Sequence, residues 1–222
     1  MISINRYIDH TNLKPFATGA DIEKLCLEAA EYGFASVCVN PAYVPKAKKA
    51  LAGAGVPVCT VIGFPLGMNT TAVKLRETED ALEMGCDEFD MVINVGALKD
   101  GRSDYVSDEI AAVAKAAKGR IVKVIIETGL LDEGQKAAAT RIACEAGAHF
   151  VKTCTGVSPG TATVEDILLM KANLSGNTKI KASSGIKTYE GAMRLIEAGA
   201  ARLGTSSGIA IIGEQKEKGR KT

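Results

Sequence analysis

The chain lacks tryptophan and is poor in other aromatics, with five tyrosines and five phenylalanines in 222 residues. Its core must therefore be built from Val, Ile, Leu and Ala. No apolar run approaches the roughly 18 residues of a membrane-spanning helix. The first residues, MISINRYIDHTNLKP, lack a basic start followed by an apolar stretch, so no secretion signal is expected. No two of the six cysteines form a CxxC pair, and only His10 and His149 could assist them, so no zinc-ligand spacing is present. Scattered cysteines without a signal read as reduced thiols in the cytoplasm. Neither charge sign is in excess: 27 Lys and Arg face 26 Asp and Glu, which gives no reason to invoke nucleic acid or a membrane surface as partner. No Pro/Ser-rich linker divides the sequence, so residues 1–222 read as one domain, with a polar tail at 213–222 expected to fray.

What the chain does have is glycine, 23 residues of it, and short β-branched runs. Residues 7–11 (YIDHT), 36–40 (SVCVN), 58–63 (VCTVIG), 88–94 (EFDMVIN), 121–127 (IVKVIIE), 149–154 (HFVKTC), 179–183 (KIKAS) and 202–206 (RLGTS) have strand length and composition. Helical stretches lie between them. Thr18, Thr70 or Thr71, Ser103, Asp132, Thr163 and Thr188 stand at their starts, and glycines stand just past their ends. One phrase recurs at helix ends, in EYGFA (31–35), EMGCD (83–87), EAGAH (145–149) and EAGAA (197–201). Such recurrence indicates a repeated βα unit. Eight alternations predict an α/β fold with a parallel sheet closed into a compact TIM (β/α)8 barrel, its interior packed with Val and Ile. An open doubly wound sheet would announce itself with GxGxxG after an early strand, and none is there. In a barrel the active site lies at the C-terminal strand ends.

Three successive strands carry a lysine among apolar neighbours: Lys123, Lys152 and Lys181, spaced 29 residues apart in both steps. A single such lysine would be read as snorkelling or paired. Three in register pointing into the barrel mouth would repel one another, and repulsion and desolvation both lower a lysine pKa. A neutral amine near pH 7 attacks carbonyls to form a Schiff base. Asp90 lies in the apolar run 88–94, where it serves either as a salt-bridge partner or as the proton-transfer group of imine chemistry. Glu127 shares the strand of Lys123 as a structural counter-charge, and Asp9 joins the same network. Glycine-rich turns follow the later strands, at Thr155-Gly156, at 184–188 (SGIKT) and at 204–208 (GTSSG). Backbone N–H groups in such turns bind anions, and in barrels phosphate sites commonly come from the last two βα loops. His10 and His149 read as structural or peripheral, and Leu168, Leu169 and Met170 as core contacts.

At these positions the sequence resembles the deoxyribose-phosphate aldolase family of class I, Schiff-base-forming aldolases on TIM barrels. The resemblance rests on residues 9–13 (DHTNL), 37–41 (VCVNP), 61–67 (VIGFPLG), 88–94, 123–128 (KVIIET), 150–156 (FVKTCTG), 180–188 (IKASSGIKT) and 202–207 (RLGTSS). It implies reversible cleavage of 2-deoxy-D-ribose 5-phosphate to D-glyceraldehyde 3-phosphate and acetaldehyde, within deoxyribonucleotide and carbohydrate breakdown. It places the Schiff base on Lys152, its pKa-lowering partner on Lys181 and the catalytic aspartate on Asp90. Phosphate contacts fall on Gly156, Gly185, Ser206 and Ser207, with Thr155 beside them; Lys123, Asp9 and Thr11 support the site. No metal or other cofactor is expected. The partners are small sugar-phosphate and aldehyde substrates; a homo-oligomer, dimer or tetramer, is not derivable from the sequence. Two departures stand out: Cys154 replaces a usual Ser, and Ser184 replaces a usual Gly, at a steric cost if that position needs positive φ. The residues alone leave two alternatives, another sugar-phosphate barrel enzyme (epimerase, isomerase or synthase) and a non-catalytic phosphometabolite-binding barrel.

Overall fold

A computed structural model describes residues 3–219. Eight strands run parallel: β1 (Ile8–Asn12), β2 (Ser36–Val39), β3 (Val58–Ile62), β4 (Glu88–Val92), β5 (Ile121–Ile125), β6 (Phe150–Lys152), β7 (Lys179–Ser183) and β8 (Ala200–Thr205). Each pairs with the next, and β1 pairs with β8 to close the barrel. The crossovers carry α1 (Gly19–Tyr32), α2 (Val44–Ala50), α3 (Thr71–Glu83), α4 (Val95–Lys99), α5 (Ser103–Ala116), α6 (Glu133–Glu145), α7 (Val164–Ala172), α8 (Tyr189–Ala198) and α9 (Gly208–Gly219). The predicted (β/α)8 barrel is the observed fold.

Local chemistry sets the helix starts. Thr18 and Asp21, and likewise Asp132 and Gln135, form reciprocal capping boxes. Thr70, Thr163 and Thr188 each accept a backbone N–H of the first turn. Ser103 is the first helical residue rather than the cap, which falls on Arg102 without a side-chain bond. The recurrent helix-end glycines 33, 85, 147 and 199 all take positive φ, the conformation that turns each helix back toward its strand.

Alternation along the strands separates two environments. Val37, Val39, Val58, Ile62, Phe89 and Met91 face outward, and with their counterparts on the other strands they pack with the helices into the main hydrophobic core. Inside the barrel the apolar cluster is small: Cys38, Cys59 and Val61, touched by Leu13 and Phe64. The expected Val/Ile interior is therefore corrected. Parallel strands are covered on their outer face by helices, so β-branched side chains are consumed there. The inward positions carry Asp9, Glu88, Asp90, Lys123, Lys152, Lys181 and Arg202.

Residues 213–219, within the polar tail, are helical and continue α9. Ile211 and Ile212 are buried ahead of them, Glu214 accepts the N–H of Tyr189 at 2.7 Å, and Lys216 lies over the Tyr32 ring. Residues 220–222 of the expected tail lie outside the described chain. On α7, Met170 is buried as expected but Leu168 is 52% exposed, because it lies on the opposite helix face. Loss of the first capping box tests the helix-start reading. Thr18→Ala is expected to lower unfolding free energy by about 1 kcal/mol in urea titration, and an unchanged midpoint would contradict it.

Candidate active site

The barrel interior is organised around one carboxylate. Asp90, on β4, is fully buried. Its Oδ2 accepts from Lys152 Nζ and Lys181 Nζ, both at 2.7 Å, and its Oδ1 accepts from Lys123 Nζ at 2.8 Å and from Cys59 Sγ at 3.2 Å. A second carboxylate, Asp9 on β1, lies 2.6 Å from Lys181 Nζ and accepts from Arg202 Nε at 2.6 Å. Arg202 also reaches Glu88 at 2.9 Å, and Glu88 lies 2.7 Å from Lys123 Nζ. Four cations and three carboxylates thus form one continuous network across six strands.

The lysines are not all in register. Lys152 pairs with Lys181, but Lys123 pairs with Phe150, and Ile125 is the partner of Lys152. Equal sequence spacing hid this, because the stagger of a closed barrel shifts β5 by two residues relative to β6. Lys123 therefore sits one layer deeper, and only Lys152 of the three lines the open cleft. The expected mutual depression of lysine pKa is also corrected for Lys123 and Lys181. Burial opposes the charge of Lys181, but Asp9 and Asp90 outweigh it and push its pKa up. Burial likewise opposes Lys123, and Asp90 with other anionic neighbours drives it well above the ordinary lysine value. Burial alone would raise the Asp90 carboxyl, yet the three lysines hold it well below the usual carboxylate range. Interleaved carboxylates, which the lysine spacing did not reveal, decide the sign.

Above this network a cleft of about 1040 Å³ opens at the C-terminal strand ends. Thr11, Lys152, Thr155, Gly156, Gly185, Ser206 and Ser207 all line it, so the expected site residues converge there. The loops after β6 and β7 interlock. Gly156, Ser184 and Gly185 take φ of 83°, 80° and 79°, and the Ser184 hydroxyl donates to Gly160 O at 3.1 Å. Ser184 thus occupies the left-handed region, and its hydroxyl bond offsets part of the strain. Gly156, Gly185 and Ser206 donate no N–H to another residue among those described, whereas two other expected contacts are committed elsewhere. The Thr155 N–H goes to Glu127 and the Ser207 N–H to Thr205 Oγ1. Thr155 is therefore a loop-building residue whose backbone donor is spoken for. Glu127 is not the counter-charge of Lys123, since it lies beyond the end of β5. Lys187 also lines the cleft; its position in SGIKT was the available signal.

The remaining residues resolve as follows. His10 Nε2 meets Glu28 Oε2 at 2.7 Å from the wall of the cleft, and His149 Nδ1 accepts from Val122 N at 3.2 Å. Cys38 and Cys59 are register partners inside the barrel, with Sγ atoms and the Asp90 carboxylate within 4.8 Å of one another. Cys154 is buried against Thr128. All six cysteines are unpaired, and no described helix is long and apolar enough to cross a membrane.

A closed parallel barrel that gathers amines and carboxylates beneath a glycine-lined cleft has the layout of a barrel enzyme acting on a small molecule. Comparison with known proteins makes this specific. Residues 4–213 match the model of the DeoC/LacD family aldolases. A deoxyribose-phosphate aldolase of Dictyoglomus turgidum is 53% identical over 214 residues, covering 94% of this chain and 98% of that protein. One from Bdellovibrio bacteriovorus is 55% identical over 211 residues, covering 95% and 96%. The tetrameric deoxyribose phosphate aldolase of Aeropyrum pernix superposes with a TM-score of 0.89 at 33% identity, covering 97% of this chain and 92% of that one. The chain belongs to the DeoC/LacD aldolase family. It is an enzyme, a carbon–carbon lyase of the aldolase type.

The two depressed carboxylates give a pH prediction. A group whose folded pKa lies below its unfolded value stabilises fully above the unfolded value, near pH 4, and loses that contribution as pH falls toward the folded value. Burial opposes both shifts, and the surrounding cations reverse it at Asp9 and Asp90. Stability is expected to fall below about pH 4, and less steeply in Asp9→Asn. Equal slopes in urea titrations of the two proteins would contradict the assignment.

Proposed function

We propose that the protein cleaves 2-deoxy-D-ribose 5-phosphate reversibly to D-glyceraldehyde 3-phosphate and acetaldehyde through a Schiff base on Lys152. The observation that carries this reading is that, of the three lysines bound to Asp90, Lys152 lines the cleft and Lys123 and Lys181 do not. Identity above 50% to proteins named for this substrate supports the choice of sugar. Six unpaired cysteines suit a reducing cytoplasm.

In this mechanism the deprotonated Lys152 Nζ forms a bond to the aldehyde carbon of the open-chain sugar. The carbinolamine loses its oxygen as water, leaving a protonated imine that draws electrons. Asp90, with Lys181, relays the proton from the C3 hydroxyl through water. The C2–C3 bonding pair then flows into the iminium, releasing glyceraldehyde 3-phosphate and an enamine. The enamine is protonated at carbon, and water returns the amine and acetaldehyde. Lys181 Nζ shares the Asp90 Oδ2 with Lys152, which sets the two amines side by side around the carboxylate. The free N–H groups of Gly156, Gly185 and Ser206 receive the phosphate, with Lys187 as a cation at the rim.

Reduction with borohydride in the presence of deoxyribose 5-phosphate is expected to fix a covalent adduct on Lys152, located by peptide mass spectrometry. An adduct on another lysine, or none in active enzyme, would remove the assignment. Lys181→Leu is expected to cut kcat by about 10² or more. An unaltered rate would exclude Lys181 from the chemistry.

A further inference from the structure

The loop after β5 carries a buried carboxylate that the proposed mechanism leaves unused. Glu127 is 1% exposed, and among the described residues it forms no ion pair. Its backbone is left-handed, with φ 59° and ψ 64°, a region that glycine favours and glutamate rarely enters. Such an outlier persists only where the surroundings enforce it, and it invites a functional explanation. Its carboxylate receives one donor, the N–H of Thr155, at 3.1 Å to Oε1 and 3.3 Å to Oε2.

That donor lies on the segment that matters. Thr155 follows Lys152 by three residues and directly precedes Gly156. Its hydroxyl oxygen accepts the N–H groups of Val157 at 3.1 Å and Ser158 at 3.3 Å, so fixing Thr155 fixes the turn around Gly156. The rest of the Glu127 loop supports the same turn from below. Thr128 N donates to Thr153 O at 3.0 Å, and a Cβ on Gly129 would come within 2.1 Å of Pro159 O. The two loops are in backbone contact, and Glu127 supplies the side-chain acceptor between them.

We infer that Glu127 is a positioning residue: by capturing the Thr155 N–H it holds the loop after β6 in the shape that presents Gly156 to a phosphate. This rests on the reading of the cleft as a sugar-phosphate site. Glu127 acts on substrate affinity through the loop, without touching the reacting carbons.

Two variants separate this role from ordinary packing. Glu127→Gly removes the acceptor while relaxing the left-handed backbone; Glu127→Gln keeps an acceptor at the same reach. For Glu127→Gly, KM for deoxyribose 5-phosphate is expected to rise about tenfold, as for one lost charge-assisted contact, with kcat within about twofold. Thermal stability and turnover of unphosphorylated 2-deoxyribose are expected to stay at wild-type levels, and Glu127→Gln is expected to retain most of the wild-type KM. A wild-type KM in Glu127→Gly would overturn the inference. So would equal losses on both sugars together with lower stability, which would mark a purely structural residue. Calorimetric titration with inorganic phosphate reads the cup apart from the chemistry. Weakened phosphate binding in Glu127→Gly beside an inactive wild type would sustain this inference while overturning the proposed reaction.

Discussion

The Asp90 carboxylate, shared among three lysine ammonium groups inside a closed barrel, is the interaction on which the rest of the site depends. A buried ammonium loses its hydration and tolerates that loss only with anionic partners at contact distance. Asp90 supplies such contact to Lys123, Lys152 and Lys181 at once, and Asp9, Glu88 and Arg202 complete the balance. Stability does not explain this network, because a well-packed apolar filling of similar volume would be equally or more stabilising. Its distinctive consequence is positional. Each amine is held at a set height in the barrel, and one of them is presented to the cleft.

That arrangement inverts the usual allocation of residues in a small domain. The β-branched side chains form the shell between strands and helices, where Ile, Val and Ala dominate the main core. The barrel lumen carries the charged network, with thiols, Val61, Val92, Ile125 and Phe150 among its apolar residues. Removing one charge from such an interior leaves its partner buried and unpaired, a penalty of about 3–5 kcal/mol. Chemistry and folding are therefore coupled at these positions. Around the rim, by contrast, the loops after β5, β6 and β7 support one another through backbone contacts and left-handed residues.

Much of this was legible in the sequence. Short β-branched runs, Thr and Asp caps and the repeated glycine at helix ends read directly as βα units, because each is a local signal. Lys152, Lys181 and Asp90 stood out because charge inside a strand contradicts its surroundings. Three matters were not legible, for one shared reason: they depend on residues distant in the chain. The depth of Lys123 follows from barrel stagger, which sequence spacing does not encode. The raised pKa of Lys123 and Lys181 follows from carboxylates on β1 and β4. The role of Glu127 follows from a contact with Thr155, 28 residues on, and only the strained backbone of a non-glycine residue marks it. The contacts of the α9 tail with Tyr189 and Tyr32 were likewise not legible, because its polar composition conceals them.

The claim at the centre is that Asp90 and its partner carboxylates keep Lys123 and Lys181 charged while serving as the floor of the site. Heteronuclear NMR of the lysine Nζ groups in ¹⁵N-lysine-labelled protein, followed across the alkaline range, measures this directly. The Lys123 and Lys181 ammonium signals are expected to persist at pH values where exposed lysines have already titrated. Loss of either signal before the exposed lysines titrate would contradict the account.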